Sequence, residues 1–372
     1  VAIPLYVLMG EILYKGKSGE RIFFLVNSWL AKLRGGTGIA TVSAYTFFAA
    51  IVGSSMASVL TIGKIAIPEM KRYQYKTTFS TAAVAAGGTL GILIPPSVIL
   101  ILYGALTSEP IGPLLIGGLV PGIILTLLFM LMINIQVRLN PSIAPRKEQK
   151  ANLSEKLRSL KSIWPFLLVF ILSIGGIYFG VFTPSEAGGI GAMGAFAITL
   201  LSKKLSWAAL KSSLDETLRL TAMLFLILIG ASLFGKFLAL SQIPMTLTSL
   251  VGSLDVSPYL IMSLILIVYF FLGMFLEGIA IMVLTLPIVY PIVTQLGFDG
   301  LWFGIIMVMV LNIGVLTPPL GLSVYIISGI VKDVPIEKIF KGVTPAIITM
   351  IIFTIILVIF PEIATFLPSF IK

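Results

Sequence analysis

Along the chain, apolar runs of roughly 18–30 residues alternate with short polar stretches. The runs mix Leu, Ile, Val and Gly without the every-other-residue polarity of a membrane-facing strand, so each predicts a helix long enough to cross ~30 Å of hydrocarbon. The polar stretches sort by charge. Lys and Arg cluster at 15–34, 64–76, 138–161, 203–219 and 332–341, whereas the connections near 107–113, 181–186, 241–258 and 295–300 hold none. The positive-inside bias assigns the first set to the cytoplasm. The path then runs outward over 78–107, inward over 113–137, outward over 164–181, inward over 185–201, outward over 218–237, inward over 301–330 and outward over 343–360.

Two stretches do not fit single crossings. Between Arg34 and Lys64, both cytoplasmic, lie about 30 residues, too few for two spans and too many for one. A re-entrant helical hairpin with its tip at "VGSSMAS" (52–58) satisfies the count, since non-helical backbone at that depth is tolerated where it is buried in protein or lines a wet cavity. The stretch 258–298 enters and leaves on the outer side. Its turn, "GMFLEGI" (273–279), lacks the Lys or Arg of the other inner connections, so it reads as a second hairpin with its tip near Glu277.

Each hairpin is followed by a run that breaks its own helix: "GILIPPSV" (91–98) and "GVLTPPLG" (314–321) share Gly-x-x-x-Pro-Pro. Adjacent prolines remove two backbone donors and clash with the preceding turn. Five crossings separate the hairpins, and an odd number makes them enter from opposite faces. The expected fold is therefore an all-α polytopic membrane protein with inverted-topology repeats, each with a hairpin and a broken helix, an arrangement typical of secondary transporters with a midplane site.

Composition narrows the chemistry. Of 372 residues, 58% are hydrophobic and 11% charged, and the net charge of +10 is explained by the inner loops rather than by nucleic acid, which is not expected as a partner. Cys and His are both absent, which excludes thiol nucleophiles, His relays, His/Cys metal centres and disulfides. No enzyme activity is expected. Val1 opens inside an apolar run with neither Met nor a basic leader, so the native start is expected upstream.

With these motifs in place, "IPLYVLMGEIL" (3–13), "GSSMAS" with "IGKIAIPEM" (53–70), "GGTLGILIPPS" (87–97), "TPSEAGGIGA" (183–192), "GMFLEG" (273–278) and "FGIIMVMVLNIGVLTPPLGLSVY" (303–325), the whole chain resembles the large membrane subunit, DctM or SiaM type, of tripartite ATP-independent periplasmic (TRAP) transporters. It departs at Ser58, where relatives often carry an acid, and at Gln74-Tyr75-Lys76, where they carry Gly-Tyr-Asp, so no ligand role carries over to Ser58. The resemblance implies an elevator-type permease of the bacterial or archaeal cytoplasmic membrane, with a small DctQ/SiaQ-type membrane subunit and a DctP/SiaP-type periplasmic binding protein as partners. It further implies sodium as coupling ion, no cofactor, and an organic-acid substrate such as a C4-dicarboxylate, a sialic acid or a keto acid.

The expected division is 1–36 as scaffold helix and interfacial arm, 37–112 as the first transport unit, 113–257 as scaffold, 258–330 as the second transport unit and 331–372 as a C-terminal scaffold helix. Unwound backbone exposes carbonyls, hard ligands suited to an alkali cation. One sodium site is expected between Gly53, Ser54, Ser55 and Gly91–Pro95, another between Gly273–Glu277 and Gly314–Thr317. Substrate carboxylate has no deep Arg or Lys, so helix N-termini with Ser55, Ser97 and Asn312 are the candidate donors. For Ser97 and Asn312, capping or interhelical hydrogen bonding is the competing role. Glu277 holds the tip, binds sodium or carries a proton, the first being preferred. The segment 204–220 reads as an interfacial amphipathic helix, as does 19–36. A single-component sodium/carboxylate symporter is the closest alternative, and an ion channel ranks below it.

Overall fold

A computed structural model describes residues 2–52, 55–145, 153–253 and 255–371. Among the described residues there are helices and no strand. The helices are α1 (Ala2–Lys15), α2 (Ser18–Leu30), α3 (Gly36–Val52), α4 (Ser55–Arg72), α5 (Thr77–Gly88), α6 (Leu90–Leu93), α7 (Val98–Thr107), α8 (Ile111–Leu139) and α9 (Leu153–Tyr178). They continue with α10 (Pro184–Leu201), α11 (Trp207–Ser241), α12 (Ile243–Ser253), α13 (Pro258–Phe275), α14 (Gly278–Gln295), α15 (Gly300–Leu316), α16 (Leu322–Ile330), α17 (Ile336–Ile359) and α18 (Glu362–Thr365). Among the described residues, six stretches are long and apolar enough to cross a membrane: Thr77–Thr107, Ile111–Leu139, Trp207–Ser241, Pro258–Phe275, Gly278–Gln295 and Ile336–Ile359.

Both hairpins are present, as α3–α4 and α13–α14, and both are followed by a helix broken at a Pro–Pro pair. The Pro95–Pro96 and Pro318–Pro319 peptide bonds are both cis. The repeats interlock: α4 packs on α16, the far half of the other repeat's broken helix, and α14 packs on α7 in the same relation. Tyr103 joins the two broken helices, lying against Gly304 and donating to the Gly300 carbonyl at 2.7 Å. A Cβ at Gly304 would sit 2.6 Å from the Tyr103 ring, so glycine there permits the crossing. At one end of the bundle the Tyr290 hydroxyl donates to the Glu109 carboxylate. Lys71 pairs with Asp333 at 2.7 Å, an exposed bridge of the kind that contributes about 0–1 kcal/mol.

Each crossing expected from the charge pattern falls on a helix or broken helix, with two differences. The stretch 204–220 is no separate interfacial helix, because it continues without interruption into α11. Its N-terminus is set by Ser206, whose hydroxyl accepts the Ala209 N–H at 3.1 Å, and nothing thereafter supplies a stop. A further short helix, α12, follows α11 and packs on α14. Only Ser213, Thr217, Leu224, Ala231 and Leu238 of α11 are buried, a stripe at near-heptad spacing that faces α1 and, farther along, α14.

Candidate substrate and cation site

The second hairpin turns at Leu276 and Glu277, both extended. The Glu277 carboxylate accepts the Ile279 N–H at 3.0 Å and so caps α14, where the N-terminal dipole favours a negative charge. One turn before the tip, Gly273 lies against Gly314 of α15. This brings three of the expected ligands, Gly273, Gly314 and the nearby Thr317, to the meeting of tip and break. α15 stops there because Pro318 and Pro319 offer no N–H to the carbonyls of Gly314 and Val315. The Gly314 carbonyl accepts the Thr317 N–H at 3.0 Å, and a carbonyl so engaged keeps a second lone pair. The Thr317 hydroxyl spends its proton on the Ile313 carbonyl at 2.7 Å, which leaves its oxygen able to accept or ligate.

The first break is deeper. Gly91 through Ser97 are all buried, whereas Pro318–Leu320 of the second break are exposed. Ile94 N–H reaches back to the Leu90 carbonyl at 3.2 Å, and the next two carbonyls, of Gly91 and Ile92, face proline nitrogens. Ser97 caps α7, accepting the Leu100 N–H at 3.3 Å, and it is off the wall of the cavity described below. Gly53 and Ser54 lie outside the described residues, as does the side chain of Ser55, the first residue of α4.

Asn312 sits two residues before Gly314 and is 0% exposed. Neither its carboxamide oxygen nor its nitrogen has a hydrogen-bond partner among the described residues. A buried polar group left unmatched costs about 1–3 kcal/mol, so neither capping nor interhelical bonding describes Asn312 here. Its counterpart in the first repeat, counting from the Gly-x-x-x-Pro-Pro motif, is Thr89, which does pair, donating to the Ala86 carbonyl at 2.6 Å.

Beside the second tip opens a cavity of about 480 Å³. Its walls come from α1 and α11, from the second tip, α7, α15 and the start of α16, and from Leu60 of α4 and Ile92 of α6. Three acidic residues, Glu11, Glu216 and Glu277, and one basic residue, Lys15 at the end of α1, are on its wall. Ser323 adds a hydroxyl. Glu11 and Glu216 were not singled out as site residues from the sequence. Glu11 carried a usable signal, an acid within an apolar run, which is costly unless it faces a wet interior. Glu216 was concealed in a stretch that reads as amphipathic surface helix.

Residues 1–363 match the family described as "Tripartite ATP-independent periplasmic transporter, DctM component". The C4-dicarboxylate TRAP transporter large permease protein DctM of Pseudomonas aeruginosa is 37% identical over 372 residues, covering 99% of this chain and 86% of that protein. The sialic acid TRAP transporter large permease protein SiaM of Vibrio cholerae is 31% identical over 370 residues, 99% and 86% of the two chains. The ectoine/5-hydroxyectoine TRAP transporter large permease protein UehC of Ruegeria pomeroyi is 30% identical over 369 residues, 99% and 85%. Among solved structures, the YdaH transporter of Alcanivorax borkumensis superposes with a TM-score of 0.68 over 97% of this chain and 85% of that one. At 14% identity the likeness is one of fold.

Proposed function

The chain belongs to the DctM component family of the tripartite ATP-independent periplasmic transporters, as a large permease subunit, and we propose that it imports a small organic anion in symport with sodium. In this reading a periplasmic binding protein delivers the anion, a small membrane subunit completes the permease, and the hairpins with their broken helices move as one body against the scaffold across the cytoplasmic membrane. The substrate class is that for which the relatives are named, the C4-dicarboxylates and sialic acids first, with keto acids beside them.

The observation that carries the proposal is Asn312. A fully buried carboxamide with no partner among the described residues, beside a helix break and a hairpin tip, is a group held ready for a ligand. The cavity supports coupling rather than simple anion binding. With three acidic residues and one basic residue on its wall, an anion gains little from side chains there. Its affinity must come from the N-terminal ends of α7, α14 and α16 and from cations bound at the breaks. Sodium at Gly273, Gly314 and Thr317, with Glu277 fixing the tip, and at Gly91–Pro95, then raises anion affinity, and by linkage the anion raises sodium affinity equally.

The test is reconstitution. Proteoliposomes holding this chain and the small subunit are expected to take up C4-dicarboxylate or sialic acid only with an inward sodium gradient and the cognate binding protein. Uptake of free substrate without that protein favours the single-component symporter. Uptake indifferent to sodium overturns the coupling.

A further inference from the structure

A second cavity, of about 360 Å³, opens between the first hairpin, α8 and α9, with Ile94 of the first break on its wall, and shares no lining residue with the cavity beside the second tip. Ile22 of α2, Phe47 and Ala50 of α3, Ile123 of α8, and Phe166 and Leu167 of α9 are among its walls. The few polar groups there are already spent. Thr46 and Thr126 hydrogen-bond each other at 2.8 Å, and Ser43 donates to its own helix at the Ile39 carbonyl, 2.9 Å. With those protons engaged the wall offers a water no free hydroxyl donor and is otherwise almost wholly apolar, so the space suits hydrocarbon. Its mouth is lateral, since Phe47 and Ile123 on its rim are 43% and 46% exposed.

The same seam between α2 and α9 carries a positive collar. The Lys156 ammonium of α9 lies 5.2 Å over the Trp29 ring of α2. Trp29 is two helical turns from Ile22, on the same face of α2, and Lys156 is three turns from Leu167, on the same face of α9. At 1.5 Å per residue the ammonium is about 16 Å along α9 from the cavity. That is about the ~15 Å depth of one leaflet's hydrocarbon. Exposed Lys32 and Arg34 follow Trp29, and no acidic residue occurs between Arg21 and Lys64.

We propose that this crevice is a binding site for an anionic phospholipid, its acyl chain in the cavity beside the first hairpin and its headgroup on Lys156 and Trp29. The tail-sized dry pocket and the basic, aromatic collar one leaflet away together select a molecule that is apolar at one end and negative at the other. The site is independent of the transported substrate.

Native mass spectrometry of the purified full chain, titrated in parallel with phosphatidylglycerol and with phosphatidylcholine of the same acyl chains, tests the assignment. The expected result is a saturable phosphatidylglycerol adduct that forms at lower lipid concentration than the phosphatidylcholine adduct. Lys156→Ala is expected to weaken phosphatidylglycerol by about fivefold, one basic residue's share, and to leave phosphatidylcholine unchanged. Ala50→Phe fills the cavity from the hairpin side and Leu167→Trp from the scaffold side, and either is expected to reduce both adducts. Equal retention of the two lipids by the unmodified chain, or wild-type phosphatidylglycerol affinity in Lys156→Ala, overturns the headgroup assignment. An adduct that persists at wild-type strength in either folded filler variant overturns the cavity assignment.

Discussion

Two glycines meet at the second hairpin, and they are expected to respond very differently to one added methyl. A Cβ built on Gly273 would lie 3.4 Å from the Gly314 Cα and from the Leu311 carbonyl oxygen, ordinary contact. A Cβ on Gly314 would instead run into the Gly273 backbone, 2.7 Å from both its Cα and its carbonyl oxygen. Backbone has no rotamer to escape into. The tip must therefore withdraw by about 0.7 Å or more to restore normal contact, and overpacking of this kind costs about 1–3 kcal/mol. If tip and break share a sodium ion, that cost falls on the ion site, roughly a 5- to 150-fold loss of affinity. Sodium titration of uptake in proteoliposomes reads it directly. Half-saturating sodium is expected to rise by about tenfold or more in Gly314→Ala and to stay within about twofold in Gly273→Ala, the scale of ordinary tolerated substitutions. Gly329→Ala, whose Cβ meets nothing within 4 Å, is the control. Wild-type sodium dependence in Gly314→Ala would refute the shared site, and equal losses in Gly273→Ala and Gly314→Ala would refute the contact geometry.

Replacing Pro318 and Pro319 together by Ala restores two N–H donors, lets α15 run on, and is expected to raise half-saturating sodium more than it lowers the melting temperature in detergent. Glu277→Ala removes the cap on Ile279 and is expected to cost about 1 kcal/mol of thermal stability, whereas Glu277→Gln keeps an acceptor oxygen and most of that stability. If Glu277→Gln also transports with unchanged sodium dependence, neither sodium binding nor proton carriage uses the charge. At the start of α10, the Glu186 carboxylate accepts the Thr183 backbone N–H at 2.8 Å while the Thr183 hydroxyl accepts the Glu186 N–H at 3.3 Å, a reciprocal cap. Thr183→Ala removes half of that cap and is expected to cost about 1 kcal/mol, read as a lowered melting temperature in detergent.

The hairpins, breaks and their inverted order were legible because each leaves a local mark: paired prolines, a glycine at fixed offset, or a turn lacking Lys and Arg. The positions of Glu277 at the tip and Gly314 before the break follow from the same marks. Where no local mark exists, reading failed. Nothing in 204–220 says that the amphipathic turns continue into a crossing, because a helix ends only where a cap or a breaker stops it, and α11 meets none until Gln242 in the left-handed region. The cavity was also hidden, since Glu11 and Glu216 come together only when α1 packs on α11, about 200 residues later in the chain. Ser97 and Asn312 looked equivalent as buried polar residues in similar motifs. Their difference, one capping a helix and one unmatched, depends on what surrounds each side chain, which no spacing records.

The dependence of the second tip on α15 also sets an order of events during synthesis. The extended backbone at Leu276 and Glu277 cannot rest against lipid, and the far wall of the cavity that Glu277 lines, built by α15 and the start of α16, leaves the ribosome about 40 residues later. At roughly 5–20 residues per second the nascent hairpin waits about 2–8 s for that wall. For that interval the tip must stay in the aqueous side of the insertion machinery or at the headgroups, and the chain enters the bilayer out of the order in which it is read.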